Sequence, residues 1–341
     1  MQTKLLLYLN PVELPGMLPK GHMPVFPLFT GVSRLNYNPD AFYFKCLSSP
    51  ISDILKISNH NKTFADICNE RAVELSKLPG PLYVMWSGGI DSTVAITAIL
   101  KNWSAEDIKR VVVLCNNDSI KENRNFFPLI AKNFKVETST DKIEEMLKLG
   151  YVLTGELGDQ ILGSDVPIST AKQGEEILFE KFETGALKMY SAINPEYAQG
   201  YFDRYRPIIE EAPFKIKTVF DFCWWLNITQ KWQHVQLRIL ASKSWTNPSK
   251  WQHKLLHFFD TVDFQVWSIH NHDKKIKTSW HSYKYIAKEY VVDYTKDQSF
   301  MNKLKLPSLQ NLFTSNDFNW AIDEEWNFLN KAQTLERMKE N

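Results

Sequence analysis

The sequence predicts an α/β fold, a doubly wound parallel sheet followed by a helical C-terminal region. Three observations predict it. Short apolar runs of strand length stand at residues 82–86, 110–115 and 151–154. Segments with helical apolar spacing lie between them, the alternation that right-handed crossovers produce. A glycine-bearing loop follows the first of these runs and opens a helix, which puts it where ligands bind in such sheets, at the carboxyl ends of the strands.

Residues 1–62 hold Pro11, Pro15, Pro19, Pro24 and Pro27 and read as an N-terminal extension of short strands and turns, with a strand over 41–47. Phe64, Ile67, Ala72, Val73 and Leu75 predict an amphipathic helix over 63–77, ended by Pro79-Gly80-Pro81. Residues 92–100 are apolar and helical. Val111-Val112-Val113 is β-branched and reads as a buried strand. A helix over 121–133 is expected, bent by Pro128. A strand over 134–138, a helix over 141–149 and a strand over 151–154 complete the core. Beyond about residue 170 the pattern is helical, over 174–188, 196–204, 215–242, 282–293 and 317–337. The chain is thus expected in three consecutive parts: 1–62, a core over 63–170, and a mostly helical 171–341 that completes the active site.

The bulk properties exclude several classes. The 341 residues carry a net charge of +1, so no global charge attracts nucleic acid. Cys46, Cys68, Cys115 and Cys223 form no Cys-x-x-Cys pair, which argues against a disulfide framework and a structural zinc site. The Leu5-Leu6-Leu7-Tyr8-Leu9 run is too short to span a membrane. A cytoplasmic protein with no membrane partner is expected. Residues 231–305 carry 13 Lys/Arg against 6 Asp/Glu, either a solvated basic face or a surface that closes over phosphates.

Ser87-Gly88-Gly89-Ile90-Asp91-Ser92 is the most informative stretch. Two glycines let backbone approach a phosphate. Amides at the start of the following helix attract anions, and Ser87, Ser92 and Thr93 add hydroxyl donors. Asp91 repels phosphate, so its role is to hold Mg²⁺ bridging phosphate oxygens. The chain contains no Gly-x-x-x-x-Gly-Lys-Ser/Thr and no Gly-x-Gly-x-x-Gly. The loop resembles the Ser-Gly-Gly-x-Asp-Ser pyrophosphate loop of the N-type ATP pyrophosphatases. That resemblance implies a PP-loop, HUP-like Rossmannoid core that uses ATP and Mg²⁺ and releases pyrophosphate.

A second loop, Thr154-Gly155-Glu156-Leu157-Gly158-Asp159-Gln160-Ile161-Leu162-Gly163, places two acids three apart just after a strand. It resembles the Ser-Gly-Glu-Gly-x-Asp-Glu-x-Phe-Gly-Gly stretch of the asparagine synthetase group. The match implies Glu156 as the catalytic glutamate and Asp159 as the second Mg²⁺ ligand. ATP would then lie against Met85, Ser87, Gly88, Gly89, Asp91, Ser92, Leu114, Thr154 and Gly155. Gln160, Ser164 and Asp165 depart from the family pattern, so a different substrate pocket is expected.

Phe258-Phe259-Asp260, then Lys284-Tyr285-Ile286-Ala287-Lys288-Glu289, resembles a later passage of the same family. It implies that Lys284 contacts the triphosphate or the leaving pyrophosphate, with Lys303 or Lys305 as a second such cation. His270-Asn271-His272 lacks companions at metal-ligand spacing and is read as structural. Relatives usually carry an N-terminal glutaminase with a cysteine after the initiator Met. Here Gln2 stands there and the stretch before Ser87 is short, so no glutamine-derived ammonia is expected from this chain.

The function implied is that of an ATP-dependent ligase. It would adenylylate a small-molecule carboxylate and join it to an amine or to ammonia, with a separate protein as one source of that nitrogen. Two rivals stand beside it. One is ATP-dependent modification of a nucleobase or tRNA, for which basic and aromatic residues after 231 suit nucleic acid. The other is a non-catalytic nucleotide-binding module, against which Asp91, Glu156 and Asp159 argue.

Overall fold

The computed structural model describes residues 6–8, 34–35, 51–58, 61–138, 143–163, 174–193, 195–196, 198–241, 251, 253–304, 321–323, 328–330, 332–333 and 336. Its described strands run, in chain order, β1 (Leu6–Tyr8), β2 (Leu82–Met85), β3 (Val111–Leu114), β4 (Lys135–Glu137), β5 (Tyr151–Thr154), β6 (Leu255–His257), β7 (Ala321–Asp323) and β8 (Phe328–Leu329). By contacts the chain forms two compact units. One gathers residues 57–162 and 250–308, the other 1–56, 163–249 and 309–341. This division is discontinuous in sequence, whereas the sequence reads as three consecutive parts.

The first unit holds a five-stranded sheet in the order β4-β3-β2-β5-β6, parallel throughout. The α/β class and the parallel sheet expected from sequence are therefore present. The chain leaves β2 to one side for β3 and β4, then returns to the other side of β2 for β5. The strand order thus reverses between β2 and β5, and the two loops singled out above leave those two strands at that point. Register aligns their ends: Met85 pairs with Leu114 on one side and with Thr154 on the other.

The helices follow from local chemistry. Thr63 caps Phe64–Ser76 in a reciprocal capping box with Asp66, and Phe64, Ile67, Cys68, Ala72 and Leu75 form its buried face. The helix Ile90–Asn102 is buried continuously from Ile90 to Leu100 and packs against both Phe64–Ser76 and Tyr285–Thr295. Trp86 stacks with Phe126 and Phe127 beneath the first loop, at centroid distances of 6.2 and 6.3 Å.

The second unit contains the helices Phe182–Ile193, Ala198–Glu210, Val219–Leu226 and Trp232–Ala241, whose core is aromatic: Tyr190, Phe202, Phe222, Trp224 and Trp225 are buried. It also holds an antiparallel three-stranded sheet in the order β1-β7-β8.

Four expectations need correction. The span 317–337 is not one helix: Ala321–Asp323 and Phe328–Leu329 are strands, and among its described residues only 332–333 and 336 are helical. Ala321–Asp323 is recruited by antiparallel pairing with β1 and β8, a tertiary effect that outweighs local helical preference. Residues 121–133 are two helices, Asn117–Glu122 and Phe127–Asn133, and Pro128 lies in the first turn of the second rather than bending one long helix. The span 215–242 is interrupted by a π-helical turn over Asn227–Lys231. There the Thr229 hydroxyl bonds the Trp225 carbonyl oxygen at 2.6 Å. The span 174–188 is split into a 3-10 turn, Glu175–Phe179, and the helix beginning at Phe182. The strand expected over 41–47 lies outside the described residues. Among the described residues, no helix is long and apolar enough to cross a membrane.

Candidate functional site

The first loop is built to present donors. Gly88 takes φ 79°, and a Cβ there would sit 2.2 Å from the Ser119 carbonyl oxygen, so only glycine fits. Ser87 and Ser92 bring their hydroxyls to 3.1 Å of each other, and the Gly89 amide donates to Ser87 Oγ at 3.3 Å. The Thr93 hydroxyl, expected as a phosphate donor, is engaged within the protein: it donates to the Gly89 carbonyl oxygen and receives the Trp86 indole N–H. Gly89 caps the helix Ile90–Asn102 with no side-chain bond to its first amides, which leaves them to an anion.

The second loop packs directly onto the first. A Cβ on Gly155 would meet the Ser92 backbone nitrogen at 2.6 Å, and one on Gly158 would meet Asp91 Cγ at 2.4 Å. Between these glycines Leu157 has φ 68°, a left-handed conformation that β-carbon residues avoid. The Glu156 amide donates to Thr154 Oγ1 at 3.1 Å, and Thr154 Oγ1 lies 2.7 Å from His257 Nδ1. Since Thr154 accepts from Glu156, its own hydrogen is available to Nδ1. His257 on β6 thus steadies the start of the acidic loop.

Lys284 joins the two loops. Its ammonium lies 2.6 and 2.5 Å from the two Asp91 carboxylate oxygens and 2.7 Å from Asp159 Oδ1. The lysine is wholly buried, and the side chains of Asp91 and Asp159 are 12% and 15% exposed. Tyr283 adds a hydroxyl bond to Asp159 at 3.2 Å. Lys284 reaches this place from a left-handed backbone, φ 58°, at the start of the helix Tyr285–Thr295. Its amide is bonded to the Lys275 carbonyl oxygen at 2.8 Å. Holding a non-glycine residue so costs of order 1 kcal/mol or more, which the surrounding packing must offset.

Lys303 borders the first loop through Glu122, and Lys288 follows Lys284 in the helix Tyr285–Thr295. Lys303 donates to the Glu122 carbonyl oxygen at 2.8 Å, and the Glu122 carboxylate approaches the Gly89 position to 3.5 Å. Lys288, one helical turn beyond Lys284, is 1% exposed and donates to the His281 carbonyl oxygen at 2.8 Å. Burial, followed by the charges of Lys284 and Lys303, pushes the Lys288 ammonium down to about 8. Burial likewise lowers Lys303, against the opposing pull of Glu122.

The pH consequence of Lys288 has a definite sign. Between about 8 and the ordinary lysine value of 10.5 the unfolded chain holds a proton that the folded chain has released. Stability therefore gains a rising contribution across that window and none below it. Urea titrations at pH 7.5, 8.5 and 9.5 should show this rise relative to a Lys288→Met variant. Parallel curves for the two proteins would refute it.

The structure thus brings Ser87, Gly88, Gly89, Asp91, Ser92, Thr154, Gly155, Asp159 and Lys284 together at the ends of β2 and β5. Met85 and Leu114 lie in the same row of strand ends as Thr154. Glu156 is in the second loop, half-buried. Lys303 stands beside Glu122, and Lys305 lies outside the described residues. His270 bonds the Ile57 carbonyl oxygen and His272 meets Lys275. Gly158, His257, Tyr283, Lys288 and Glu122 were not assigned roles from sequence. Lys288 belongs to the passage already singled out around Lys284, but Lys284 is the left-handed cap of the helix, so a spacing of four does not put the two on one helix face.

Among the described residues, no group of three or more His, Cys, Asp or Glu side chains could hold a metal alone. Two carboxylates that share one ammonium nevertheless suit Mg²⁺, which takes one or two carboxylates and completes its shell with phosphate and water. No protein-family model matches the chain, and no curated protein matches it.

Proposed function

We propose that the protein adenylylates a substrate carboxylate with ATP, releases pyrophosphate and forms an amide, as an asparagine synthetase-like N-type ATP pyrophosphatase would. The observation that carries this reading is the meeting of Asp91, Asp159 and Lys284 at the point where the strand order reverses. Asp91 and Lys284 are 193 positions apart in sequence.

On this reading the amides after Gly89 and the hydroxyls of Ser87 and Ser92 bind the β- and γ-phosphates. Asp91 and Asp159 would hold Mg²⁺, which would supply positive charge against the phosphate oxygens. A carboxylate oxygen attacks the α-phosphorus, and the bond to the bridging oxygen breaks as pyrophosphate leaves with its electron pair. Lys284 balances charge on the departing group. An amine nitrogen then attacks the acyl carbon, AMP departs, and Glu156 accepts the nitrogen's proton. Positioning and charge stabilisation account for most of the rate.

The test is product analysis. ATP labelled at the α-phosphate is incubated with purified protein, Mg²⁺, ammonium and a panel of carboxylic acids. AMP and pyrophosphate, formed only with an accepted acid, are the expected products; ADP and phosphate would overturn the reading. Asp91→Asn is expected to lower pyrophosphate release by about a hundredfold or more. A variant as active as the parent would remove Asp91 from the site.

A further inference from the structure

We infer that Lys275 is a positioning residue for Lys284: its buried ammonium pins the turn whose carbonyl oxygen holds Lys284 in the left-handed conformation from which it reaches Asp91 and Asp159. The catalytic consequence rests on the proposed adenylylation; the positioning itself does not depend on it.

A left-handed lysine needs something to hold it. Lys284 takes φ 58° and ψ 29°, a region that non-glycine residues leave unless neighbouring structure over-determines it. Its amide donates to the Lys275 carbonyl oxygen at 2.8 Å. A carbonyl fixes another backbone only if it is itself fixed. Lys275 is the C-cap of a single 3-10 turn, His272–Lys274, and its own amide closes that turn at a long 3.4 Å. The turn alone therefore holds the carbonyl weakly.

The Lys275 side chain supplies the hold. It is wholly buried, and Nζ donates to the Ser268 carbonyl oxygen at 2.5 Å and bonds His272 Nδ1 at 2.9 Å. As an ammonium Lys275 only donates, so Nδ1 accepts and the imidazole is neutral, with its proton on Nε2. Ser268 belongs to the helix Val262–His270 and passes the contact on, since its hydroxyl donates to the Ile161 carbonyl oxygen at 2.5 Å. Ile161 and Asp159 share the helix Gly158–Leu162. The circuit closes where the Lys284 ammonium meets Asp159 at 2.7 Å. Lys275 enters it twice, by side chain and by backbone, so the helix that carries Asp159 and the turn that carries Lys284 share one anchor.

Such a use accounts for a charge where an apolar stem would pack. Burying an ammonium is costly, and its bonds return little net stability. What directed bonds add is one arrangement in place of several. Here the arrangement is the aim of Lys284, and displacing a charged group by as little as about 1 Å can cost about a hundredfold in rate.

The experiment joins a double-mutant cycle to kinetics. The full chain, Lys275→Met, Lys284→Met and the double variant are unfolded in urea without nucleotide. Pyrophosphate release by the parent and by Lys275→Met is followed over a range of ATP concentrations. An unaimed Lys284 has less to lose, so the midpoint shift caused by Lys284→Met should shrink in the Lys275→Met background to about half or less of its size in the parent. Lys275→Met should lower kcat about tenfold or more and leave KM for ATP within about threefold, because the first loop still holds the phosphates. His272→Leu, at a half-buried position, strips the ammonium of its side-chain acceptor and carries both comparisons should Lys275→Met fail to fold. Additive midpoint shifts would overturn the inference, since Lys275 would then be an independent part of the fold. Where the parent releases pyrophosphate, an unchanged kcat, or a loss confined to KM, would overturn it while the ATP reading stands. A parent that releases no pyrophosphate with any acid would overturn the ATP reading, and the cycle alone would then decide the positioning.

Discussion

Lys284→Met is expected to cost about 3–5 kcal/mol of stability, the magnitude typical of removing one partner from a buried ion pair. The substitution preserves most of the side-chain volume, so the loss reflects charge and not a cavity. Asp91 and Asp159 would be left facing each other, largely out of water, with Tyr283 as a remaining donor to Asp159. Two like charges so placed raise each other's proton affinity, so the variant should recover stability as pH falls toward the range where one carboxylate protonates. Mg²⁺ should also restore part of the loss, because two carboxylates without an ammonium form the stronger cation site. Thermal melting with and without Mg²⁺, at pH 5 and pH 7.5, reads all three effects. A variant that melts with the parent, unaffected by Mg²⁺, would show that the triad adds nothing to the fold. Combining Lys284→Met with Asp91→Asn should be less damaging than the separate costs added, since each removes the other's unpaired charge.

The same triad shows what could be read from the sequence. The resemblance assigns Asp91 and Asp159 to Mg²⁺, and Lys284 to the phosphates, from three separate segments. The structure places all three in one ion cluster. The parallel core was readable because β2, β3 and β5 are buried runs, β2 and β5 bounded by glycine or proline, with helices of ordinary length between them. Strand β6 was not. It has three residues, Leu255-Leu256-His257, lies within a helix-rich stretch and is recruited by pairing with β5, so its strand character is a tertiary effect. The π-turn after Leu226 and the left-handed Lys284 were hidden for a related reason. Neither has a glycine or proline to mark it, and both are imposed by packing and by bonds to distant carbonyl oxygens. The break before Pro128 was visible as a residue but misread in sense, because proline both ends helices and begins them.

Gly158→Ala offers the sharpest separation of site geometry from general stability. No chemical group is lost, yet the new Cβ would stand 2.4 Å from Asp91 Cγ and 2.6 Å from its Oδ1. Asp91 cannot simply swing away, because its carboxylate is held by Lys284 and its backbone belongs to the first turn of the helix Ile90–Asn102. Either the second loop lifts or the Asp91–Lys284 contact opens. Overpacking of this kind costs about 1–3 kcal/mol, and displacing a charged group by as little as about 1 Å can cost about a hundredfold in rate. Gly80→Ala is the matched control. Its φ of 77° carries backbone strain, but the nearest atom to the new Cβ is the Leu149 carbonyl oxygen at 3.7 Å. The control should lose a comparable amount of stability, about 1 kcal/mol or more, with ATP turnover unchanged. Measuring AMP formation and urea midpoints for both variants decides the matter. If Gly158→Ala turns over ATP as the control does, Asp91 need not occupy the position that Gly158 leaves open to it, and the close approach of the two loops is packing alone.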